Sequence, residues 1–277
     1  MSLSGKARVA AVLGWPVAHS RSPRLHGHWL ARYGIDGAYV PLAVRPEVFA
    51  RALRALADLG FAGANVTLPH KEAALAAADE VTDRARAIGA ANTIVVHDGR
   101  LLADNTDGYG FLENLRQNVP DWQPAAGAAV VLGAGGAARA VVHALLEAGA
   151  PELRLVNRTQ SRAEALARAF PRVRVFGWGD RRALDGATLL ANSTSLGMTG
   201  QPPLPLALDG LPVQALVTDL VYSPLETPLL QAARARGNPT VDGLGMLLHQ
   251  ARPGFAAWFG REPEVDEALR RAVLAES

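Results

Sequence analysis

The sequence predicts an α/β protein made of two domains. Two observations carry this prediction. Short apolar runs alternate with segments of helical periodicity along most of the 277 residues, and one of these runs leads directly into a G-x-G-x-x-A segment at Gly133. A chain of this length accommodates two domains, and its 49% apolar content is ample for two cores.

Composition excludes several classes of protein. The chain has no cysteine, so it carries no disulfide, thiol nucleophile or cysteine metal site. Its N-terminus lacks a basic region followed by an apolar run, and no apolar stretch approaches the roughly 20 residues that span a bilayer. The net charge is +2 and the arginines are scattered among acids. We expect a cytoplasmic protein without a metal site that binds neither membranes nor nucleic acid.

The first strand is expected at 8–13, and the loop G-W-P-V-A-H-S-R-S-P joins it to a helix at 23–30. Ser20 and Ser22 lie at this junction, where two hydroxyls and nearby backbone N–H groups can converge on a carboxylate. The alternative is that Ser22 simply caps a helix whose first residue is Pro23.

Further strands are expected at 38–42 and 63–67, with an amphipathic helix at 47–59 between them. The last strand leads into N-V-T-L-P-H-K, which ends at Lys71. Lysine occurs only here and at Lys6, although Lys and Arg together number 28. An ammonium group can be tuned to exchange a proton, whereas a guanidinium cannot. Lys71 is therefore a candidate acid/base, the alternative being a solvated lysine at a helix start.

Strands that alternate with helices indicate a parallel sheet, and ligands of such sheets gather beyond the carboxyl ends of the strands. Ser20, Ser22, Thr67 and Lys71 all fall at that edge. Short strands at 94–96 and 101–103 flank Asp98-Gly99, which predicts a hairpin and an antiparallel addition to the sheet.

Two polar motifs flank this hairpin. Asn92 precedes it, and N-T-D-G at 105–108 follows it. Asp107 can stabilise the charged form of Lys71 while a substrate hydroxyl is shared between the two. The alternative is that Asp107 caps a helix beginning near Tyr109.

A turn-rich segment at 120–127 precedes the second domain. A buried strand at 128–132 is followed by G-A-G-G-A-A and a helix through 146. Gly133 and Gly135 permit a tight turn and close approach of a pyrophosphate, and Ala138 permits helix-strand packing. In this strand-to-helix context the motif predicts a Rossmann dinucleotide site.

The next strand, at 153–157, indicates which dinucleotide is bound. NAD sites usually carry an acidic residue there, but this chain has Asn157-Arg158-Thr159, with Arg162 one helical turn further. A guanidinium pairs well with a 2′-phosphate. The sequence therefore favours NADP over NAD.

Two more strands, at 189–191 and 216–219, precede the loops N-S-T-S-L-G-M and V-Y-S-P-L-E-T-P-L-L. Their residues Asn192, Thr194 and Leu220 are candidates to line the cofactor, although such residues are also ordinary in turns. Tyr222 is well placed near the site. An apolar helix within 241–250 carries Gln250, for which the alternative is a plain surface glutamine.

These motifs follow one another in the order found in one family. S-R-S-P-R-L-H, N-V-T-L-P-H-K, A-N-T, N-T-D-G, G-A-G-G-A-A-R-A, N-R-T, N-S-T-S-L-G-M, V-Y-S-P-L-E-T-P-L-L and G-L-G-M-L-L-H-Q resemble the shikimate dehydrogenase family along nearly the whole chain. The resemblance implies an N-terminal substrate domain with a mostly parallel sheet (1–107 plus 244–277), a Rossmann NADP-binding domain (108–243), and a cleft between them. It also implies reversible NADPH-dependent reduction of 3-dehydroshikimate to shikimate.

The resemblance further assigns roles to matching positions. It makes Lys71 and Asp107 the catalytic pair, and it lets Ser20 and Ser22 hold the substrate carboxylate. Substrate contacts are implied for Thr67, Asn92, Tyr222 and Gln250. Cofactor contacts are implied for Asp83, Gly133, Ala134, Gly135, Gly136, Ala137, Asn157, Arg158, Thr159, Arg162, Leu220 and Gly243.

Two other functions remain open from the sequence. One is a quinate/shikimate dehydrogenase that also uses NAD, and the other is a non-catalytic NADP(H)-binding sensor on the same scaffold. The lysine and aspartate argue against a sensor, because binding does not require an acid/base pair. Both a monomer and a homodimer are compatible with the sequence.

Overall fold

The computed structural model describes residues 3–275, which form two compact α/β units. One unit contains residues up to Thr106 and from Leu248 onward, and the other is Asp107–Leu247. The strands are β1 Arg8–Gly14, β2 Gly37–Ala43, β3 Gly63–Val66, β4 Glu80–Val81, β5 Thr93–His97, β6 Arg100–Asp104, β7 Ala128–Leu132, β8 Leu153–Val156, β9 Val173–Phe176, β10 Ala187–Asn192, β11 Leu216–Asp219 and β12 Thr240–Val241. The helices are α1 Ser22–Arg32, α2 Phe49–Asp58, α3 Lys71–Ala77, α4 Asp83–Ile88, α5 Asp107–Asn118, α6 Gly136–Glu147, α7 Gln160–Ala169, α8 Pro228–Ala235, α9 Leu244–Phe259 and α10 Glu267–Leu274.

The first unit has a mixed sheet in the order β2-β1-β3-β5-β6-β4. β5 runs antiparallel to β3 and β6, and the other neighbours pair in parallel. The β5–β6 hairpin turns at Asp98 and Gly99, whose φ angles of 49° and 74° are those of a tight two-residue turn. The predicted mostly parallel sheet with an antiparallel addition is confirmed.

One face of this sheet packs against α2. Leu13, Val66 and Ile94 from three neighbouring strands lie in one buried cluster with Phe49 and Leu53 of that helix. The alternation of side chains along a strand leaves the other residues of β1 to face the opposite side. The sheet therefore needs a second layer on that side.

An aromatic cluster from α1, β2 and α9 forms the second layer. His26 stacks on Tyr39 with ring centroids 3.9 Å apart, and Trp29 meets Phe255 edge-on at 5.1 Å. The indole N–H of Trp258 donates to the carbonyl of Ile94 at 2.9 Å. Residues from the C-terminal part of the chain thus complete the core of the first unit.

His26 is fully buried within this cluster, and that burial lowers its pKa from 6.5 to about 3, with the Asn65 side chain acting in the opposite direction. The folded pKa lies below the unfolded one. Between about pH 6.5 and about pH 3 the unfolded chain therefore holds a proton on His26 that the folded chain does not. Stability falls as the pH falls through this window, by up to about 1.4 kcal/mol per pH unit.

We expect His26→Phe, which keeps a flat ring, to reduce this acid sensitivity. The free energy of opening of β1, measured by amide hydrogen exchange, should fall less steeply with acid in the variant, by up to about 1.4 kcal/mol per pH unit. Other groups, such as Asp104, whose pKa is lowered beside Arg84, act equally in both proteins and cancel in the comparison. Equal slopes in the two proteins would show that His26 takes up its proton in the folded state.

The second unit has an all-parallel sheet in the order β12-β11-β10-β7-β8-β9. Buried clusters cover both faces, as a doubly wound fold requires. Helix α5 belongs to this unit although it precedes the turn-rich segment 120–127. A Cβ on Gly108 would lie 2.8 Å from both the Ala140 carbonyl oxygen and the Ala144 Cβ, so glycine lets α5 and α6 pack closely. The predicted Rossmann architecture is confirmed.

The structure adds detail to the predicted helix that follows β2. The helix expected at 47–59 is a 3₁₀ turn at Pro46–Val48 followed by α2. Within residues 3–275 no helix combines the length and the hydropathy needed to cross a membrane.

Candidate active site

The carboxyl ends of β1 and β3 lie side by side in the first unit. The Thr67 N–H donates to the Leu13 carbonyl at 2.9 Å, and the Trp15 N–H donates to the Leu68 carbonyl at 3.1 Å. A Cβ on Gly14 would lie 2.5 Å from the Thr67 methyl carbon, so glycine allows Thr67 to pack over the end of β1. The loop with the two serines and the loop that leads to the lysine therefore leave the sheet together.

Ser20 and Ser22 are in contact at the start of α1. The helix begins at Ser22, its N-cap position is Arg21, and no side chain caps it. The Ser22 N–H instead donates to Ser20 Oγ at 3.3 Å. The alternative in which Ser22 caps the helix is therefore wrong. Its hydroxyl interacts with the buried hydroxyl of Tyr39.

Tyr39 and Asn65 form a buried polar pair behind these serines. The Tyr39 hydroxyl donates to Asn65 Oδ1 at 2.7 Å, and Asn65 Nδ2 donates to the Asn92 carbonyl at 3.2 Å. Burial raises the pKa of Tyr39 well above its ordinary value, with the contact to Ser22 opposing, so the phenol is a neutral donor. No pattern in the sequence points to Asn65 as a site residue, although it opens the N-V-T motif.

Asn92 and Gln250 lie together in the first unit. Asn92 Nδ2 donates to Gln250 Oε1 at 3.1 Å, and Asn92 Oδ1 accepts from the Thr106 N–H at 2.8 Å. The Thr106 hydroxyl donates to the Gln250 carbonyl at 2.8 Å. Gln250 is only 9% exposed, so the alternative of a surface glutamine is wrong. The two amides come from positions far apart in the sequence.

Lys71 is the first residue of α3 and is partly exposed. Its carbonyl accepts from the Ala91 N–H at 2.8 Å, which ties the helix start to the segment before Asn92. The neighbouring His70 is buried, stacks on Phe49 at 4.2 Å, and places Nε2 2.7 Å from the Val44 carbonyl. A carbonyl only accepts, so Nε2 carries a proton. His70 thus fixes the loop from which Lys71 extends.

Asp107 and Asp83 each begin a helix. Asp107 is the first residue of α5 and is 7% exposed. The helix therefore begins before Tyr109, the expected start, and Asp107 lies inside the helix and not at its cap. Asp83 is an exposed residue in the first turn of α4, in the first unit. An acid there also favours the helix dipole.

In the second unit, the glycine loop joins β7 to α6. Gly133 has φ +107°, which favours glycine, and a Cβ there would lie 2.7 Å from Ser193 Oγ. Gly135 is the N-cap of α6 without a side-chain cap, and both Gly135 and Gly136 are exposed with open space where a Cβ would stand. Exposed N–H groups at the start of a long helix favour a pyrophosphate. The loop fits a dinucleotide.

The end of β8 presents a basic surface to solvent. Arg158 and Arg162 are exposed, and neither forms an ion pair with any residue in the described range 3–275. Asn157 Nδ2 donates to the Thr159 carbonyl at 2.7 Å and so fixes the turn before α7. Two exposed arginines fit the 2′-phosphate of NADP.

Leu220 and Gly243 are in contact at the carboxyl ends of β11 and β12. A Cβ on Gly243 would collide with the Leu220 carbonyl and would lie 2.7 Å from the backbone carbonyl oxygen of Asp219. Tyr222 follows on the same loop and is partly exposed. The structure therefore brings these three predicted residues into one region of the second unit.

Three family models match the chain in order: the shikimate dehydrogenase substrate binding domain at 12–94, shikimate/quinate 5-dehydrogenase at 115–177, and the shikimate 5′-dehydrogenase C-terminal domain at 243–274. A relative from Rhodospirillum rubrum named shikimate dehydrogenase (NADP(+)) is 68% identical over 98% of this chain and 99% of its own. The chain belongs to the shikimate dehydrogenase family. The resemblance found in the motifs is confirmed.

Solved structures of shikimate dehydrogenases share the fold of the whole chain. The enzyme from Aquifex aeolicus has a TM-score of 0.90 and 34% identity, covering 99% of this chain and 100% of its own. The enzyme from Thermus thermophilus, solved in complex with NADP(H) and shikimate, has a TM-score of 0.87 and 41% identity, covering 96% and 99%.

Proposed function

We propose that this chain is an NADP-dependent shikimate dehydrogenase that reversibly reduces 3-dehydroshikimate to shikimate in aromatic amino-acid biosynthesis. The 68% identity over nearly full length to a shikimate dehydrogenase (NADP(+)) carries the proposal. The glycine loop and the two exposed arginines, Arg158 and Arg162, give it physical support, because they suit a phosphorylated dinucleotide.

Substrate binding is assigned to polar groups at the carboxyl edge of the first sheet. Ser20 and Ser22 hold the carboxylate. Their hydroxyls lie at a helix start, where backbone N–H groups add positive character. Thr67, with the neighbouring amides Asn92 and Gln250, contacts the substrate hydroxyls. Tyr222 supplies a further contact to the substrate.

Lys71 and Asp107 are assigned the proton transfer. When bound, NADPH supplies the hydride for the carbonyl carbon of 3-dehydroshikimate. Lys71 donates a proton to the oxygen of that carbonyl, and in the reverse direction it accepts the proton from the hydroxyl. Asp107 stabilises the ammonium form and holds the hydroxyl in register.

The cofactor is held by the glycine loop and the loops at the ends of β8, β11 and β12. Gly133, Ala134, Gly135, Gly136 and Ala137 surround the pyrophosphate. The remaining contacts come from Asp83 and from the ends of β8, β11 and β12, which carry Asn157, Arg158, Thr159, Arg162, Leu220 and Gly243. The NAD-using and sensor alternatives are not favoured, since three relatives that are 68%, 62% and 60% identical to this chain are named shikimate dehydrogenase (NADP(+)).

The test is an assay of cofactor reduction by the purified chain with four pairings, shikimate or quinate with NADP⁺ or NAD⁺. We expect shikimate with NADP⁺ to give the highest kcat/KM. A preference for quinate or for NAD⁺ would contradict the proposal. The absence of activity in every pairing, with NADP⁺ still bound, would favour the sensor.

Ser20→Ala and Ser22→Ala should each raise KM for shikimate with little change in kcat. The carboxylate lies away from the reacting carbon, so its contacts act about equally on the ground and transition states. Each lost hydrogen bond to a charged group costs about 1.5 to 3 kcal/mol, or roughly 10- to 150-fold in KM. Steady-state kinetics at saturating NADP⁺ measures this. A variant with normal KM and lowered melting temperature would show that the serine serves the fold only.

A further inference from the structure

A buried carboxylate lies at the end of one strand of the second sheet. Asp219 is the last residue of β11 and is 0% exposed. It pairs in register with Asn192, the last residue of β10, which is also 0% exposed. Both side chains therefore lie at the carboxyl edge of the sheet, where the loops that bind ligands begin.

Three donors from three different segments converge on this carboxylate. Asp219 Oδ1 accepts from Asn192 Nδ2 at 2.9 Å and from the Val221 N–H at 3.0 Å. Its Oδ2 accepts from the Thr227 hydroxyl at 2.7 Å. Both carboxylate oxygens thus accept hydrogen bonds. The donors to Oδ1 come from β10 and from the loop that follows β11, and the donor to Oδ2 comes from the start of α8.

Each donor group fixes a further piece of backbone. Asn192 Oδ1 accepts from the N–H of Thr194 at 3.0 Å and from its hydroxyl at 2.7 Å, which shapes the loop after β10. Thr227 caps α8 by accepting from the Leu230 N–H at 3.4 Å. The Val221 N–H immediately precedes Tyr222. One carboxylate therefore determines the path of the loop that carries Leu220 and Tyr222.

This arrangement costs free energy. Burial raises the pKa of Asp219 from 3.8 to about 6, and the three hydrogen bonds oppose that rise without cancelling it. At neutral pH the protein therefore keeps a desolvated charge. Asn238, at the opposite edge of the same sheet, links backbone segments with a neutral amide. Its Nδ2 donates to the Pro212 and Ala215 carbonyls at 2.8 and 3.0 Å, so no charge is buried there.

We propose that Asp219 is the positioning residue for the Leu220–Tyr222 segment, acting through its hydrogen bonds to Asn192, the Val221 N–H and Thr227. This inference rests on the proposed function, in which Leu220 contacts the cofactor and Tyr222 contacts the substrate. A carboxylate accepts from all three donors at once. An amide of the same shape would direct its NH₂ group at one of them and break the set.

The test compares Asp219→Asn with Asn238→Ala, a change in another buried polar linker of the same unit. We expect Asp219→Asn to raise KM for shikimate and the Kd for NADP⁺ by about tenfold, the equivalent of one misdirected hydrogen bond of about 1.4 kcal/mol. Asn238→Ala should lower the melting temperature while leaving KM and Kd at wild-type values. Thr227→Ser, which keeps the hydroxyl, should restore the affinities that Thr227→Val loses.

Amide hydrogen exchange separates this proposal from the proposed function. In Asp219→Asn the exchange of the Val221 and Tyr222 amides should accelerate selectively over that of β11. This measurement requires no substrate, so it decides the positioning role even if the wild type proves inactive with shikimate. Asp219→Asn with unchanged affinities and unchanged local exchange, but a lower melting temperature, would overturn the proposal.

Discussion

Lys71→Ala should lower kcat by about 10²- to 10⁴-fold with a much smaller change in KM, because the proton moves only as the transition state forms. The variant should fold, since the contact that anchors this position uses the backbone carbonyl of Lys71, which accepts from the Ala91 N–H. Lys71→Arg should be similarly inactive, because a guanidinium keeps its proton. Steady-state kinetics with shikimate and NADP⁺ measures both.

The chain offers a matched control, since Lys6 is its other lysine and is exposed. Lys6→Ala should retain wild-type kinetics. Asp107→Asn should fall into the same kinetic class as Lys71→Ala, and the double variant should lose far less than the product of the two single losses. Turnover within a few-fold of wild type in Lys71→Ala would remove this residue from the chemistry.

Arg158→Asp should reverse the choice of cofactor. The change removes a charge-assisted contact worth about 1.5 to 3 kcal/mol, or roughly 10- to 150-fold, and repulsion from the new carboxylate should enlarge the loss of kcat/KM for NADP⁺. The same carboxylate can accept from the ribose hydroxyls of NAD⁺, so kcat/KM for NAD⁺ should hold or rise. The ratio of the two values at fixed shikimate is the quantity to measure.

Arg168→Asp is the control for charge, because Arg168 is an exposed arginine in the last turn of the same helix, α7. It should leave the cofactor ratio unchanged. Arg162 and Thr159 should retain part of the NADP⁺ affinity in Arg158→Asp. If Arg158→Asp also leaves the ratio of kcat/KM for the two cofactors unchanged, Arg158 is a solvated residue at the helix start.

Local requirements on the backbone made much of the fold predictable. The glycine loop after β7 carries its own signature, because Gly133 adopts a positive φ and Gly135 stands at the open helix start. The β5–β6 hairpin was equally readable from Asp98-Gly99. Each feature depends on residues that are neighbours in sequence, so pattern and structure agree.

Contacts between distant residues were not predictable in this way. Asn65 opens a motif that was recognised, but its role depends on Tyr39, which no local pattern connects to it. The donors around Asp219 come from β10, its own loop and the start of α8. Ser-Pro is a common helix start and makes a capping role for Ser22 an alternative, whereas in the structure Ser22 is already part of the helix. Tertiary contacts decided these cases.

The first unit is assembled from two separate stretches of chain, and this has a consequence for synthesis on the ribosome. All six strands of its sheet are complete at Asp104, but the indole of Trp258 that donates to Ile94 is made only after the whole of Asp107–Leu247. The face around Trp29 and Tyr39 therefore emerges without its cover while the second unit is being translated. A nascent chain halted before α9 therefore exposes that aromatic surface.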